Sequence, residues 1–172
     1  KTTSLLNLAA GIAKFYGKKV CIIDADPQAN TTIATFGEEM ASLSQDSLLE
    51  SVLQDCMQDK PLRLKPQKWL EKVDVIPTSL DLAAMEVVMN TAPGREFLFR
   101  EIIKGLEEKY DHILIDCPPS LGLLTLNALC ASRELLIPLQ CEFFALEGIV
   151  KLLQTYEQVK KRLNPQLGLL GV

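Results

Sequence analysis

The sequence predicts an α/β fold of three layers, with helices on both faces of a doubly wound, mostly parallel sheet. The first observation is a set of short, largely apolar runs, typical of parallel strands that are buried on both faces. The second is that helical segments alternate with these runs, as crossover connections between parallel strands require. The predicted strands are residues 20–23, 73–76, 113–115, 135–139 and 167–172.

The helices are predicted from apolar residues at helical spacing. The first begins near Leu5, carries an apolar stripe to Tyr16, and meets Gly17 where a C-cap glycine belongs. Residues 38–72 are less regular and contain Pro61 and Pro66, so we expect an insertion of short helices there. The other predicted helices are residues 81–90, 95–109, 123–131 and 142–163.

Length and composition limit the possible classes of protein. A chain of 172 residues with 48% hydrophobic residues can bury one substantial core, so we expect a single domain over residues 1–172. No apolar run approaches the ~18 residues of a membrane helix. Five cysteines without a C-x-x-C pair indicate neither a disulfide framework nor a zinc site, and favour the cytoplasm. A net charge of −4 argues against a dedicated nucleic-acid binder.

The two ends of the chain suggest a piece of a longer domain. The sequence opens with Lys1 directly in a helical pattern, where a strand is expected first, and residues 167–172 have the pattern of another buried strand. We therefore expect truncation at both ends, with a first strand and a glycine-rich loop preceding residue 1 and a C-terminal part following residue 172.

Three aspartates follow predicted strands, at the edge where open parallel sheets bind their ligands. Asp24 and Asp116 close apolar runs, and Asp26 comes two residues after the first of them. A carboxylate at such an edge needs a metal ion, a hydrogen-bond donor or water. If each aspartate is considered alone, the alternative to a ligand site is that its side chain caps the next helix or turn.

The opening Lys1-Thr2-Thr3 favours a nucleotide site over capping. A lysine followed by threonine at the start of a helix is how a phosphate-binding loop ends, because the helix amides and the lysine bind phosphate oxygens and the hydroxyl binds Mg²⁺. The downstream strands that end in Asp24 and Asp116 supply the acidic residues expected of a P-loop NTPase-like fold.

Four segments of the chain resemble the ParA/Soj partition ATPases, which have a deviant Walker A motif. They are K-T-T-S-L-L-N-L-A-A at residues 1–10, C-I-I-D-A-D-P-Q-A-N-T-T at 21–32, I-L-I-D-C-P-P-S-L-G-L-L-T-L-N-A-L at 113–129 and L-N-P-Q-L-G-L-L-G-V at 163–172. The resemblance implies a P-loop ATPase that uses ATP and Mg²⁺. The family's glycine-rich loop and signature lysine do not occur in this sequence.

The resemblance also implies roles for the amino-terminal residues. Lys1 corresponds to the phosphate-binding lysine, Thr2 to the Mg²⁺ ligand and Thr3 to a further phosphate contact.

The roles of the three aspartates follow from the same resemblance. Asp24 would support the metal shell, and Asp26 would position or polarise the attacking water. Asp116 would be the Walker B carboxylate that holds Mg²⁺ through water.

For the protein as a whole, the resemblance implies segregation of a chromosome or plasmid. We expect an ATP-dependent homodimer, cytoplasmic and nucleoid-associated without a membrane anchor, which binds nonspecific DNA and is stimulated by a ParB-like centromere-binding protein. The alternatives are a MinD-like membrane-associated ATPase of division-site placement, a noncatalytic P-loop scaffold, and an iron–sulfur relative. The cysteine spacing disfavours the last of these.

Three further features of the sequence are interpreted as structural and not as parts of a functional site. His112 has no ligand partners at metal-binding spacing, and Cys117 is expected to be a packing thiol. The basic residues between Lys60 and Lys72 are expected to be a solvated face, with contact to DNA as the alternative.

Overall fold

Seven α-helices and six strands form the part of the chain that the structure describes. The computed structural model describes the backbone of residues 1–139 and 143–172, and the side chains of these residues except 143–147. The helices are α1 Thr2–Tyr16, α2 Asn30–Phe36, α3 Leu49–Met57, α4 Leu82–Met89, α5 Leu98–Lys104, α6 Leu123–Ala131 and α7 Phe143–Arg162. The strands are β1 Val20–Asp24, β2 Gln67–Leu70, β3 Val73–Ile76, β4 His112–Asp116, β5 Glu134–Leu136 and β6 Gly168–Gly171.

The main sheet has the strand order β2-β3-β1-β4. Strands β3 and β4 both run parallel to β1, one on each side of it, which is the doubly wound arrangement expected from the sequence. Strand β2 pairs antiparallel with β3 at the edge, and β5 and β6 form a separate parallel pair. The six described strands therefore form two sheets, where the sequence predicts one.

Alternation of side chains along β1 builds the three layers. Cys21 and Ile23 pack into a core formed by residues of α3, α4, α5 and α6, whereas Val20 and Ile22 face Ala9 of α1. Because β1 is buried on both faces, the uninterrupted apolar run predicts it correctly. Helices on both faces of a parallel-rich sheet confirm the predicted α/β class.

The predicted elements are found, most of them with small shifts of their ends, but the strand predicted over residues 135–139 ends at Leu136. Gly17 ends α1 in the left-handed conformation (φ 66°) and its N–H donates to Ala13 O, as a C-cap glycine does. The helix predicted over residues 95–109 covers only Leu98–Lys104, and Glu142 of the helix predicted over 142–163 lies outside the described residues. Residues 38–72 contain two 3₁₀ helices, α3 and, in addition, β2.

Candidate nucleotide and magnesium site

The carboxyl ends of β1 and β4 bring two predicted site residues together. Asp24 and Asp116 are partners in the parallel register of these strands, and Ala25 N donates a hydrogen bond of 2.9 Å to Asp116 O. Both aspartates are buried, at 0% and 4% exposure. Two carboxylates that the sequence separates widely are thus neighbours at one edge of the sheet.

Asp116 is the contact point for the amino terminus of α1. Thr2 Oγ1 donates to Asp116 Oδ2 at 2.6 Å, and Thr31 Oγ1 of α2 donates to the same oxygen at 2.7 Å. Lys1 Nζ donates to Cys117 O at 3.1 Å, so the lysine also lies beside the end of β4. The start of α1 and the end of β4 therefore meet, as a phosphate-binding loop and its acidic strand must.

Asp24 accepts three hydrogen bonds from described residues of the turn after β1 and of α2. Its Oδ2 accepts hydrogen bonds from Thr32 N at 2.8 Å and Thr32 Oγ1 at 2.6 Å, and its Oδ1 accepts a longer one from Asp26 N at 3.4 Å. Burial raises the pKa of Asp24 to about 6; the bonds from Thr32 and Asp26 act in the opposite direction, and the charge of Asp116 adds to the rise. Asp24 therefore joins the turn after β1 to the first turn of α2.

Asp26 lies in that turn, between β1 and α2. Its Oδ1 accepts a hydrogen bond from Gln28 N at 2.9 Å, and its carbonyl accepts one from Ala29 N at 2.8 Å. Ala29 has φ 53°, a left-handed conformation that alanine rarely adopts. The turn is therefore tightly folded, with Asp26 two residues from Asp24.

Charges of the site surround the thiol of Cys117. Burial of the sulfur raises the pKa of Cys117 to about 12; Asp116 and Asp26 add to the rise, and Lys1 opposes it. The thiol stays protonated at neutral pH, which fits the packing role expected from the sequence.

Thr3, like Lys1, makes no hydrogen bond to the three carboxylates among the residues that the structure describes. It is exposed, its carbonyl accepts a hydrogen bond from Asn7 Nδ2 at 2.8 Å, and its side chain makes no hydrogen bond to the described residues. His112 is exposed at the opposite end of β4.

The basic stretch of residues 60–72 is partly engaged within the protein. Arg63 binds the buried Asp55 through two nitrogens and Asp46 through a third, and Lys72 Nζ donates to Gly17 O. These contacts support the interpretation of the stretch as a structural and solvated surface.

The donor chemistry at the end of β4 fits Mg²⁺. Mg²⁺ prefers oxygen ligands and is usually bound through one or two carboxylates together with substrate phosphates. Thr2 and Asp116 supply a hydroxyl and a carboxylate in direct contact. Among the residues that the structure describes, no group of three His, Cys, Asp or Glu side chains could hold a metal ion.

Sequence reasoning missed Thr31 and Thr32, the two threonines that bind the carboxylates from α2. The available signal is a pair of hydroxyl residues directly after the acidic turn 24–29, at the start of a helix. Threonine there is readily interpreted as a helix-starting residue, and only the folded register shows which carboxylate each hydroxyl meets.

The chain is similar to known proteins along its whole length. A family model described as an AAA domain matches residues 1–169. The chromosome partitioning protein ParA of Myxococcus xanthus (strain DK1622) is 41% identical over 174 residues, which cover all of this chain and 59% of that protein. The sporulation initiation inhibitor protein Soj of Bacillus subtilis (strain 168) is 40% identical over 172 residues, which cover all of this chain and 66% of that protein.

The chain belongs to the ParA/Soj-type family of P-loop ATPases. Among solved structures, cobyrinic acid a,c-diamide synthase from Mycobacterium smegmatis with bound ATP analog and magnesium is similar to this ParA/Soj-type chain. The TM-score is 0.86 and the identity 31%, over 99% of this chain and 68% of that one. The chain spans about three fifths to two thirds of the length of the curated ParA and Soj relatives described above. Among the described helices, none combines the length and apolarity needed to span a bilayer.

Proposed function

We propose that the full-length protein is a partition ATPase that hydrolyses ATP with Mg²⁺. The observation that carries the proposal is the 2.6 Å hydrogen bond from Thr2 Oγ1 to Asp116 Oδ2. It joins the first turn of α1 to the end of β4, which is the arrangement that binding of a triphosphate and its cation requires. A relative of 41% identity is named a chromosome partitioning protein, and a similar solved structure holds an ATP analog and magnesium.

In this proposal, Lys1 and the first turn of α1 bind the phosphates. The ammonium of Lys1 neutralises phosphate charge, and the amides at the start of α1 have no partners within the helix and point toward an anion. Thr3, exposed in the same turn, adds a further phosphate contact.

Thr2 and Asp116 would hold the cation. The Thr2 hydroxyl gives its hydrogen to Asp116, so its oxygen lone pairs remain available to a metal ion. Asp116 orients that hydroxyl and holds the cation through water. When bound, Mg²⁺ would neutralise charge that develops on the phosphate oxygens.

Asp26 would position the attacking water, and Asp24 would support the site from within. Asp26 carries a carboxylate that can accept a hydrogen bond from water, in a turn that Asp24 fixes through Asp26 N. Charge neutralisation together with a positioned water is what in-line attack on a γ phosphate needs.

We further propose that residues 1–172 form part of a single domain. Leu49, Val52 and Leu53 of the insertion at residues 38–72 share one core with β1, α5 and α6, so the insertion does not have a separate core.

The proposed cellular role is that of a switch. An ATP-bound homodimer would bind nonspecific DNA at the nucleoid, and a ParB-like partner would stimulate hydrolysis and release it. Hydrolysis without the partner is expected to be slow, because the switch depends on how long the protein stays in its ATP-bound state.

The test is ATP-dependent retention of the full-length protein on DNA, together with Mg²⁺-dependent phosphate release. We expect retention with ATP and Mg²⁺ on random-sequence DNA and no retention on anionic liposomes. Retention on liposomes alone would favour the MinD-like alternative, and ATP binding without any phosphate release would favour the noncatalytic scaffold.

A further inference from the structure

The first turn of α2 binds both carboxylates of the candidate site. Thr31 Oγ1 donates to Asp116 Oδ2 at 2.7 Å, while Thr32 donates through its N–H and its hydroxyl to Asp24 Oδ2. Both threonines are 0% exposed. Two consecutive residues of one helix thus hold the ends of two adjacent strands.

A third contact fixes α2 from the segment that follows β3. Thr78 N donates to Thr32 Oγ1 at 3.0 Å, and Thr78 Oγ1 donates in turn to Glu50 Oε2 at 2.9 Å. Glu50 also accepts hydrogen bonds from Ser79 N and Ser79 Oγ. Buried and fully paired polar groups of this kind favour a single arrangement of the segments that they join.

We propose that Thr31 and Thr32 are positioning residues for ATP hydrolysis, which hold Asp116 and the turn that carries Asp26. The proposal rests on the proposed ATPase function and adds two residues, the last of the segment 21–32, to those that are given roles above. The turn that carries Asp26 starts at the end of β1, where Asp24 accepts from Thr32, and leads directly into α2. A shift of α2 would therefore move Asp26 relative to Asp116.

Asp116 accepts hydrogen bonds from two threonine hydroxyls, and this arrangement gives Thr31 a role that is distinct from that of Thr32. A carboxylate oxygen accepts about two hydrogen bonds, and Oδ2 receives them from Thr2 and Thr31. The second oxygen, Oδ1, makes no hydrogen bond to the described residues and is the one left for a water molecule or another ligand. Without Thr31, the carboxyl group keeps one protein donor, and its terminal torsion is intrinsically soft.

The test compares Thr31→Val with Thr31→Ser and Thr35→Val in the full-length protein. Valine keeps the shape of threonine and removes the hydroxyl, whereas serine keeps the hydroxyl. Thr35 is a matched control because it lies on the same helix and its hydroxyl binds only carbonyls of that helix, Thr31 O and Thr32 O. The measurements are kcat, KM for ATP, the Mg²⁺ concentration at half-maximal rate, and the melting temperature.

We expect Thr31→Val to lower kcat about tenfold or more, as loss of a hydrogen bond to a charged group does, with KM for ATP changed less than about twofold. The half-saturating Mg²⁺ concentration should rise. Thr31→Ser and Thr35→Val should stay within about twofold of wild type in kcat. Thr32→Val, which removes the hydroxyl that joins Asp24 and Thr78, should likewise lower kcat, and Thr32→Ser should restore it because serine preserves both contacts. An unchanged kcat in Thr32→Val would overturn the role of Thr32.

An unchanged kcat for Thr31→Val would overturn the positioning role, as would an equal loss in Thr31→Ser or Thr35→Val. If Thr31→Val does not fold, Thr31→Cys replaces it and is compared with Thr31→Ser, since the two differ in one atom and the thiol is the weaker donor. Equal kcat for that pair would also overturn the role. A wild-type protein without Mg²⁺-dependent hydrolysis would instead refute the proposed function itself.

Discussion

Asp24 and Asp116 are direct register partners on adjacent parallel strands, although β2 and β3 lie between them in the chain. The two aspartates are neighbours in the fold because β4 pairs with β1 on the side opposite β3. The site is therefore built by the strand order, and residues from α1 and α2 reach it by hydrogen bonding to these two carboxylates.

Replacement of Asp26 should separate ATP binding from hydrolysis. We expect Asp26→Asn to bind ATP within about twofold of wild type but to hydrolyse it ~100-fold more slowly or worse, as loss of a carboxylate that positions and polarises the attacking water does. The ATP-bound dimer should accumulate. Phosphate release, equilibrium binding and size-exclusion chromatography measure these effects. The control is Asp111→Asn, next to the opposite end of β4, and unchanged phosphate release in Asp26→Asn would remove Asp26 from its role.

Replacement of Lys1 should weaken ATP binding. We expect Lys1→Ala to raise the Kd for ATP about tenfold to 100-fold, since a charge-assisted contact to phosphate is lost. Lys14→Ala, which removes an exposed lysine at the other end of α1, should leave the Kd unchanged. Titration of a fluorescent ATP analogue gives both values, and full affinity in Lys1→Ala would contradict the assignment of residues 1–3 to a phosphate-binding loop.

Part of this arrangement could be predicted from the sequence. The run at residues 20–23 is found as β1, and the strand-end aspartates meet as expected, because a parallel strand covered on both faces leaves a clear apolar pattern. Residues 73–76 are found with their predicted bounds, although Asp74 interrupts that run. Strand β2 was missed because Gln67–Leu70 is an edge strand that alternates between half-buried and exposed residues, in a segment interrupted by proline. Its pairing with β3 is a tertiary contact without a local signal.

The positive φ of Ala29 predicts a stabilising substitution. Ala29→Gly should raise the free energy of unfolding by about 0.5–1 kcal/mol, because relief of the left-handed strain outweighs the entropy that glycine adds to the unfolded chain. Asp59→Gly, at φ 50°, should gain less, since aspartate tolerates this conformation better. Urea denaturation measures both, and a loss of stability in Ala29→Gly would contradict the turn geometry.

The contact between Arg63 and Asp55 predicts a pH-dependent contribution to stability. Hydrogen bonds and charge from Arg63 hold the pKa of the buried Asp55 carboxyl below its usual value. A lowered pKa in the folded state stabilises the protein above the unfolded pKa of about 3.9, and this contribution is lost as the pH falls through the folded value. Arg63→Gln should therefore be less stable than wild type at pH 7, and the difference should shrink below about pH 4.

The control for this prediction is Asp46→Asn, which removes only the more exposed partner of Arg63. It should change stability little at any pH, as exposed ion pairs do. Thermal unfolding from pH 3 to pH 7 provides the comparison. A stability difference between Arg63→Gln and wild type that is constant across this range would show that Asp55 does not titrate against Arg63.

The most direct test of the proposed site is a double-mutant cycle on Thr2 and Asp116 in the full-length protein, read out by binding of a nonhydrolysable ATP analogue with and without Mg²⁺. If the two residues hold one cation, Thr2→Val and Asp116→Asn should each reduce the gain in affinity that Mg²⁺ provides. The double variant should then lose little more than the worse single variant, with a coupling energy of about 1 kcal/mol or more. A shared site at the meeting point of α1 and β4 would be contradicted if the two losses of affinity simply added in the double variant. It would also be contradicted if Mg²⁺ raised the affinity of either single variant as much as it raises that of wild type.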